Sequence, residues 1–293
     1  MKIAVFSREY KSSTVLTLQR LFDSLARNNF RIFVFESLAR ELKEKGGVKY
    51  EGEVLQGYKD LVANSIDYVL SVGGDGTLLE TLLLVRDSGI PVGGINTGRL
   101  GFLSNTPESE VETAIEDLRA GNYYIEARTL LKCNCDKELF KMNYALNDFT
   151  IHKRDNTSML IIKTFLNGDM FNTYWADGII VSTPTGSTAY SLSCGGPVIF
   201  PGSKTFSITP VAPHNLNVRP IVISDESIIS FEISGRGSNY LVSLDSRSEI
   251  IDYSWQLAVS KADFTMNLIR FHNQNFISTL RNKLMWGIDS RNN

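Results

Sequence analysis

The chain has 293 residues, 43% of them hydrophobic and 21% charged, which suffices for about two domains with cores of their own. Its formal net charge of −2 leaves no basic excess for phosphate backbones, which excludes a dedicated nucleic-acid binder. No apolar run approaches the ~20 residues needed to cross a bilayer, and three cysteines are too few for a disulfide framework, so no membrane and a cytoplasmic setting are expected.

In chain order, the beginning MKIAVFSREY carries Arg8 and Glu9 too early for a signal peptide and reads as a first strand over Lys2 to Phe6. Leu18, Leu21, Phe22 and Leu25 follow helical spacing behind caps at Ser12 and Ser13, with a stop at Asn28 and Asn29. Arg31 to Phe35 predicts a second strand, Ser37 to Lys45 a charged helix, and Asp67 to Val72 a third strand. Thr77 to Asp87 predicts a helix closing at Gly89, followed by a strand over Pro91 to Ile95. Thr106 and Pro107 open a helix with Val111, Ala114, Ile115 and Leu118 on one face, ending at Gly121. This alternation predicts a parallel sheet flanked by helices over residues 1–122.

After Asn122 the helical signal nearly vanishes. Tyr124 to Cys135, Tyr144 to Lys153, Met159 to Asn167, Met170 to Trp175 and Gly178 to Ser182 read as strands, as do Ser227 to Ile233, Leu241 to Leu244 and Gln256 to Lys261. Residues 123–270 are therefore expected to form a mostly β domain. Residues 271–293 are expected to form a helical tail, from Asn275 to Trp286, packing back on the first domain.

Four segments carry chemistry. GGDGT, Gly73 to Thr77, lies between a strand and a helix, with its one acid, Asp75, inside the turn. Three glycines there sacrifice backbone entropy and let another molecule approach the main chain, which suits a phosphate site with a built-in acid or base. The Gly-x-x-x-x-Gly-Lys loop, the Gly-x-Gly-x-x-Gly fingerprint and the Gly-x-Ser-x-Gly elbow are all absent. NTGRLGFL, Asn96 to Leu103, follows the next strand and offers the ring of Phe102 to a base, or else serves as a structural crossover with Phe102 in the core. Asn147 and Asp148 are adjacent polar residues in a strand pattern, so one must enter the core unless it meets a ligand or partner, or unless the pair marks a bulge. DGIIVSTPTGSTAYSLSCGGP, Asp177 to Pro197, sets Thr183, Thr185, Ser187 and Thr188 between a strand and a helix expected from Ser187. Capping explains one or two of these hydroxyls, and a ligand site explains the set. Cys133 and Cys135 form a lone Cys-x-Cys that reads as ordinary strand residues rather than a zinc site.

Together with PVAPHNLNVRP, Pro210 to Pro220, these segments resemble the NAD kinase family in order and spacing over almost the whole chain. GGDGT alone is shared with diacylglycerol and sphingosine kinases, whereas the long hydroxyl-rich motif is specific. The resemblance implies transfer of the terminal phosphoryl group of ATP to the 2′-hydroxyl of the adenosine ribose of NAD, with a divalent metal, Mg²⁺, accompanying the donor. It also implies a homodimer or homotetramer whose sites a neighbouring subunit completes. It implies that Asp75 is the catalytic carboxylate and that Gly76 lies against the dinucleotide. Phe102 then stands near the adenine, Asn147 and Asp148 hold the nucleotide, and Asp177 approaches the nicotinamide end. Thr185, Thr188, Ala189, Tyr190, Ser191, Leu192 and Ser193 supply further contacts. Three positions depart from the family pattern: Asp148 where glutamate is commoner, Trp175 where arginine or a small residue is frequent, and Arg247 where glutamine is frequent. Asp75 suits either a general base or a Mg²⁺ ligand. Two other classes share features of this chain: a lipid kinase with GGDGT, and a non-catalytic dinucleotide sensor, which would need no acid in the glycine turn.

Overall fold

The computed structural model describes residues 1–154, 159–272 and 274–285. The expected helix end at Trp286, and the tail beyond it, lie outside the described residues. The chain forms two compact units, one of residues Met1–Ala127 with the chain from Met266 onward, the other of Arg128–Thr265.

In the first unit, β1 (Lys2–Phe6), β2 (Arg31–Phe35), β3 (Glu53–Leu55), β4 (Tyr68–Val72) and β5 (Val92–Asn96) form a parallel sheet in the order β3-β2-β1-β4-β5. Leu268 lies parallel to β5, opposite Val92. The helices are α1 (Val15–Arg27), α2 (Glu36–Lys45), α3 (Tyr58–Ala63), α4 (Asp75–Val85) and α5 (Val111–Ala120). Apolar residues at helical spacing explain α1, whose Leu18, Leu21, Phe22 and Leu25 are buried with Ile3, Val5, Ile32 and Val34 of the sheet. Leu38 and Leu42 of α2 and Val111, Ile115 and Leu118 of α5 join the same cluster. On the other face Leu78 of α4 lies against Gly94, whose missing side chain makes room for it. Strand order reverses between β1 and β4, so the carboxyl end of β4, where GGDGT begins, borders the switch point of the sheet.

Two elements here escaped the sequence patterns. β3 has three residues and α3 has six, both too short to establish a period. Thr106 and Pro107 pair with Ile95 and Asn96 instead of opening a helix, and α5 begins at Val111 after one turn of 3₁₀ helix. The C-terminal helix, Phe276–Leu284, belongs to the first unit.

The second unit is a β-sandwich. One antiparallel sheet runs Ile221–Ser224, Thr205–Val211, Gly178–Ser182, Asp148–Lys153, Asn239–Leu244, Arg247–Asp252. The other takes Asp169–Ala176, Leu160–Leu166, Ile229–Ser234 and the start of Leu257–Phe271. Alternate residues of both sheets meet in one core, with Phe149, Ile151, Ile179, Val181, Tyr240 and Val242 against Ile162, Tyr174, Phe231 and Val259. The rings of Phe149 and Phe231 stack at 5.7 Å. Register places Asp148 opposite Ser182, and Phe149 opposite Leu244. Asn147-Asp148, the turn after Ser182 and the turn after Leu244 therefore meet at one end of the sheet. Asp177 lies at the other end, beyond Gly178, which pairs with His152.

Candidate active site

Asp75 is the first residue of α4, with Gly74 at the cap, and its side chain is partly exposed. The carboxylate bonds across to the NTGRLGFL loop. Oδ1 accepts N–H bonds from Leu103 at 3.0 Å and Ser104 at 2.9 Å, and Oδ2 accepts one from Phe102 at 2.9 Å. A carboxylate offers about four acceptor positions. Three are taken, and the fourth is on Oδ2. Lys283 Nζ stands 3.6 Å from that oxygen, too far for a full hydrogen bond but close enough for an ion pair.

The loop is built to receive this acid. A Cβ on Gly101 would lie 1.9 Å from Asp75 Oδ1, so only glycine allows the approach. Asn96 ties the loop ends, donating to the carbonyls of Arg99 and Ser104 and accepting from Gly98 N–H. From the far side the buried Arg270 donates to the Leu103 carbonyl at 2.9 Å and to Asn105 Oδ1 at 2.8 Å, while its Nε pairs with Glu126 at 2.8 Å. Leu103 is thus held by an anion at its N–H and a cation at its carbonyl. Gly76 is exposed. Phe102 is half-buried, its ring 6.0 Å from Phe276 and under the Lys283 ammonium at 4.9 Å. Its loop is a structural crossover, and the ring keeps part of its surface exposed instead of entering the core.

In the second unit Asn147 lies between two strands, Tyr144–Ala145 and Asp148–Lys153, so the expected continuous strand is broken at the motif. The cause is Asp245. Its carboxylate accepts the N–H groups of Leu146, Asn147 and Asp148 at 2.9, 2.8 and 3.2 Å, three donors that a regular ladder would have used elsewhere. Asp148 is 6% exposed and accepts from Thr150 Oγ1 at 3.2 Å. Burial and the neighbouring Asp245 charge push its carboxyl up to about 7. Burial also raises Asp245, against the pull of its three N–H donors and Arg247.

The hydroxyl-rich run divides in two. Thr183, Ser187 and Ser191 are fully buried and bond to protein. Thr183 Oγ1 donates to the Leu146 carbonyl at 2.5 Å and accepts from Gly186 N–H, Ser187 Oγ bonds the Pro184 carbonyl and Ile199 N–H, and Ser191 Oγ bonds Thr209 Oγ1. A Cβ on Gly186 would lie 2.0 Å from the Asn147 carbonyl oxygen, so this turn packs directly on the Asn147 backbone. Thr185, also buried, accepts from Arg128 Nη1 at 3.1 Å. Thr188, Ala189, Tyr190, Leu192 and Ser193 reach the surface to differing degrees, Tyr190 at 40% exposure. The helix expected from Ser187 is one 3₁₀ turn and a four-residue helix, Tyr190–Ser193, too short to supply the helix-end charge expected of it. The Tyr190 phenol is pushed up by burial, then by Cys194, Asp148 and Asp177, so this side chain lies within the field of carboxylates from both ends of the strand.

Asp177 pairs with Lys153 Nζ at 2.7 Å, and the Lys153 N–H donates to the Asp177 carbonyl. Trp175 is 42% exposed, its backbone fixed by Asn215 and His214. Arg247 donates to the carbonyls of Met142 and Tyr144, so its guanidinium is taken up by the protein just ahead of the Asn147 motif. Cys133 and Cys135 place their sulfurs 3.3 Å apart.

Two family models together cover most of the chain: residues 3–123 match the ATP-NAD kinase N-terminal domain, and residues 146–271 match the ATP-NAD kinase C-terminal domain. Over its full length the chain is 46% identical to the NAD kinase of Flavobacterium psychrophilum, spanning all of that protein. It is 44% identical to that of Cytophaga hutchinsonii, again with both chains fully covered. The chain belongs to the NAD kinase family.

Two solved NAD kinase-type structures share its fold. The yeast NADH kinase complexed with NADH superposes with a TM-score of 0.88 at 22% identity, over 99% of this chain and 88% of the yeast chain. An Archaeoglobus fulgidus NAD kinase in complex with ATP gives 0.76 at 24% identity, over 97% and 99%. Five residues that bond the motif segments had escaped the sequence reading: Arg128, Lys153, Asp245, Arg270 and Lys283. A basic residue inside an apolar run, as in NLIRF, was the available signal for Arg270, since a buried cation requires a partner. Among the described residues no group of three or more His, Cys, Asp or Glu side chains could hold a metal ion. Asp75 alone, already holding three N–H groups beside an ammonium, does not make a resident metal centre.

Proposed function

We propose that the chain is an ATP-dependent NAD kinase that forms NADP. The 2′-oxygen of the adenosine ribose attacks the terminal phosphorus of ATP, the new O–P bond forms as the bond to the bridging oxygen breaks, and ADP leaves with that electron pair. The full-length relationship to NAD kinases carries this reading.

Asp75 is the residue assigned to the hydroxyl. Its open position on Oδ2 can accept the 2′-OH hydrogen bond and take the proton late in transfer, while its other bonds hold it still. This favours base and orienting group over metal ligand. A divalent cation, Mg²⁺, would then come with the ATP phosphates, as that ion prefers, needing no protein cage. Gly76 and Phe102 would bear on the nucleotide beside the acid. Asn147, Asp148, Thr185 and Thr188 to Ser193 would hold the dinucleotide, with Trp175 and Asp177 toward its nicotinamide end. The buried Thr185 and Ser191 hydroxyls serve this by shaping the turn. Arg247 acts in the same way, through Met142 and Tyr144. The protein works in the cytoplasm as a homodimer or homotetramer.

Purified protein with ATP, Mg²⁺ and NAD should yield NADP, read out by an NADP-specific dehydrogenase. Dinucleotide binding without product under any donor or metal would point to a sensor, and phosphorylation of diacylglycerol instead would point to a lipid kinase. Light scattering of the eluting protein measures the subunit number, and a monomer would overturn the assembly.

A further inference from the structure

The C-terminal helix Phe276–Leu284 brings two side chains to the glycine turn. Phe276 sets its ring against Phe102, and Lys283, two turns later on the same side, reaches both the Phe102 ring and Asp75 Oδ2. The helix is started by Asn275, whose side chain accepts the Ser278 N–H at 2.7 Å. Lys283 lies in its last turn, where the helix dipole favours a cation. The ammonium stands beside the one acceptor position of Asp75 that the loop amides leave open. An attached phenyl face and a carboxylate together fix where this charge sits.

We propose that Lys283 is a positioning residue for phosphoryl transfer, acting through Asp75. It balances the carboxylate's charge and keeps Oδ2 aimed at the acceptor hydroxyl, and with Phe276 it backs the Phe102 ring. The proposal rests on the NAD kinase reading. A merely structural ion pair with side chains about a third exposed would contribute little to stability and nothing to turnover, which separates the two roles.

The test uses full-length protein with Lys283→Met, Lys283→Arg and, as a charge control, the neighbouring exposed Arg281→Met. Lys283→Met should lower kcat about tenfold with KM for NAD changed by less than about twofold. Its melting temperature should match the parent's. Lys283→Arg should recover most of the turnover, and Arg281→Met should behave as the parent. Turnover of Lys283→Met close to the parent's, or a loss that arginine does not restore, would overturn the proposal. If the parent itself makes no NADP, the functional reading has failed separately. Amide exchange then decides: the N–H groups of Phe102, Leu103 and Ser104 should exchange faster in Lys283→Met while those of residues 280–284 do not. Unchanged exchange at those three amides would overturn the positioning role.

Discussion

The glycine turn of the first unit and the hydroxyl-rich turn of the second solve one problem in opposite ways. At Asp75 a single side chain gathers three backbone amides of a distant loop and keeps one acceptor position to spare. At Thr183 to Ser191 the side chains mostly bond backbone groups, with Arg128 and Thr209 as side-chain partners of Thr185 and Ser191, and the surface is left to a few neighbours such as Tyr190. Asp245 repeats the first solution inside the second unit, holding three consecutive amides at Asn147. Asp75 organises its loop and can keep a chemical role as well, because its carboxylate remains partly exposed, whereas Asp245 is held under burial. A buried hydroxyl that organises a turn has used its bonding capacity and contributes shape.

This contrast can be broken most sharply at Asp75. Asp75→Asn should reduce turnover about a thousandfold, while NAD affinity stays within a few-fold of the parent. Near-normal turnover would remove the acid from the chemistry. Gly101→Ala should come next: its Cβ would force the Asp75 side chain off the loop amides that hold it, so activity falls about a hundredfold for a stability loss of about 1 kcal/mol. Gly186→Ala meets the Asn147 backbone instead, which cannot swing, and should cost roughly 3 kcal/mol of stability, seen as a lower melting temperature. Equal melting curves for these two variants would abolish the distinction drawn between the turns.

The smallest effect concerns pH. Unfolded, Asp148 titrates near 3.8, and folded near about 7. Between those values the folded chain holds the extra proton, so its contribution to stability is present in acid and is lost as pH rises through about 7. Asp148→Asn should therefore raise the melting temperature by a few degrees around pH 8, and by progressively less toward pH 5. A gain independent of pH would mean that Asp148 is already ionised in the folded protein at pH 5.

Much of this was legible in the sequence. Short apolar runs marked β1, β2 and β4, helical spacing marked α1, and the turn chemistry around GGDGT marked the strand–turn–helix that carries Asp75. Thr205–Val211, Ile221–Ser224 and Arg247–Asp252 were missed: the first is buried along nearly its whole length, the second has only four residues, and the third is an edge strand that mixes charged and apolar residues without alternation. The partners were harder still. Nothing local to Asp245 says that it will bond residues about a hundred positions away, and nothing local to Lys283 says that it will face Asp75. Such pairings are fixed by topology, which a single chain's spacing does not encode.

The first unit is written in two pieces of chain, with the whole second unit between them. During synthesis residues 1–127 leave the ribosome without Ile269 and Phe271 for their core, without Arg270 for the loop beside Asp75, and without the helix that carries Lys283. Domains generally fold in order of emergence. Here residues 1–127 must wait for a segment that follows the whole second unit, so Asp75 acquires its full set of partners only after that unit has been made.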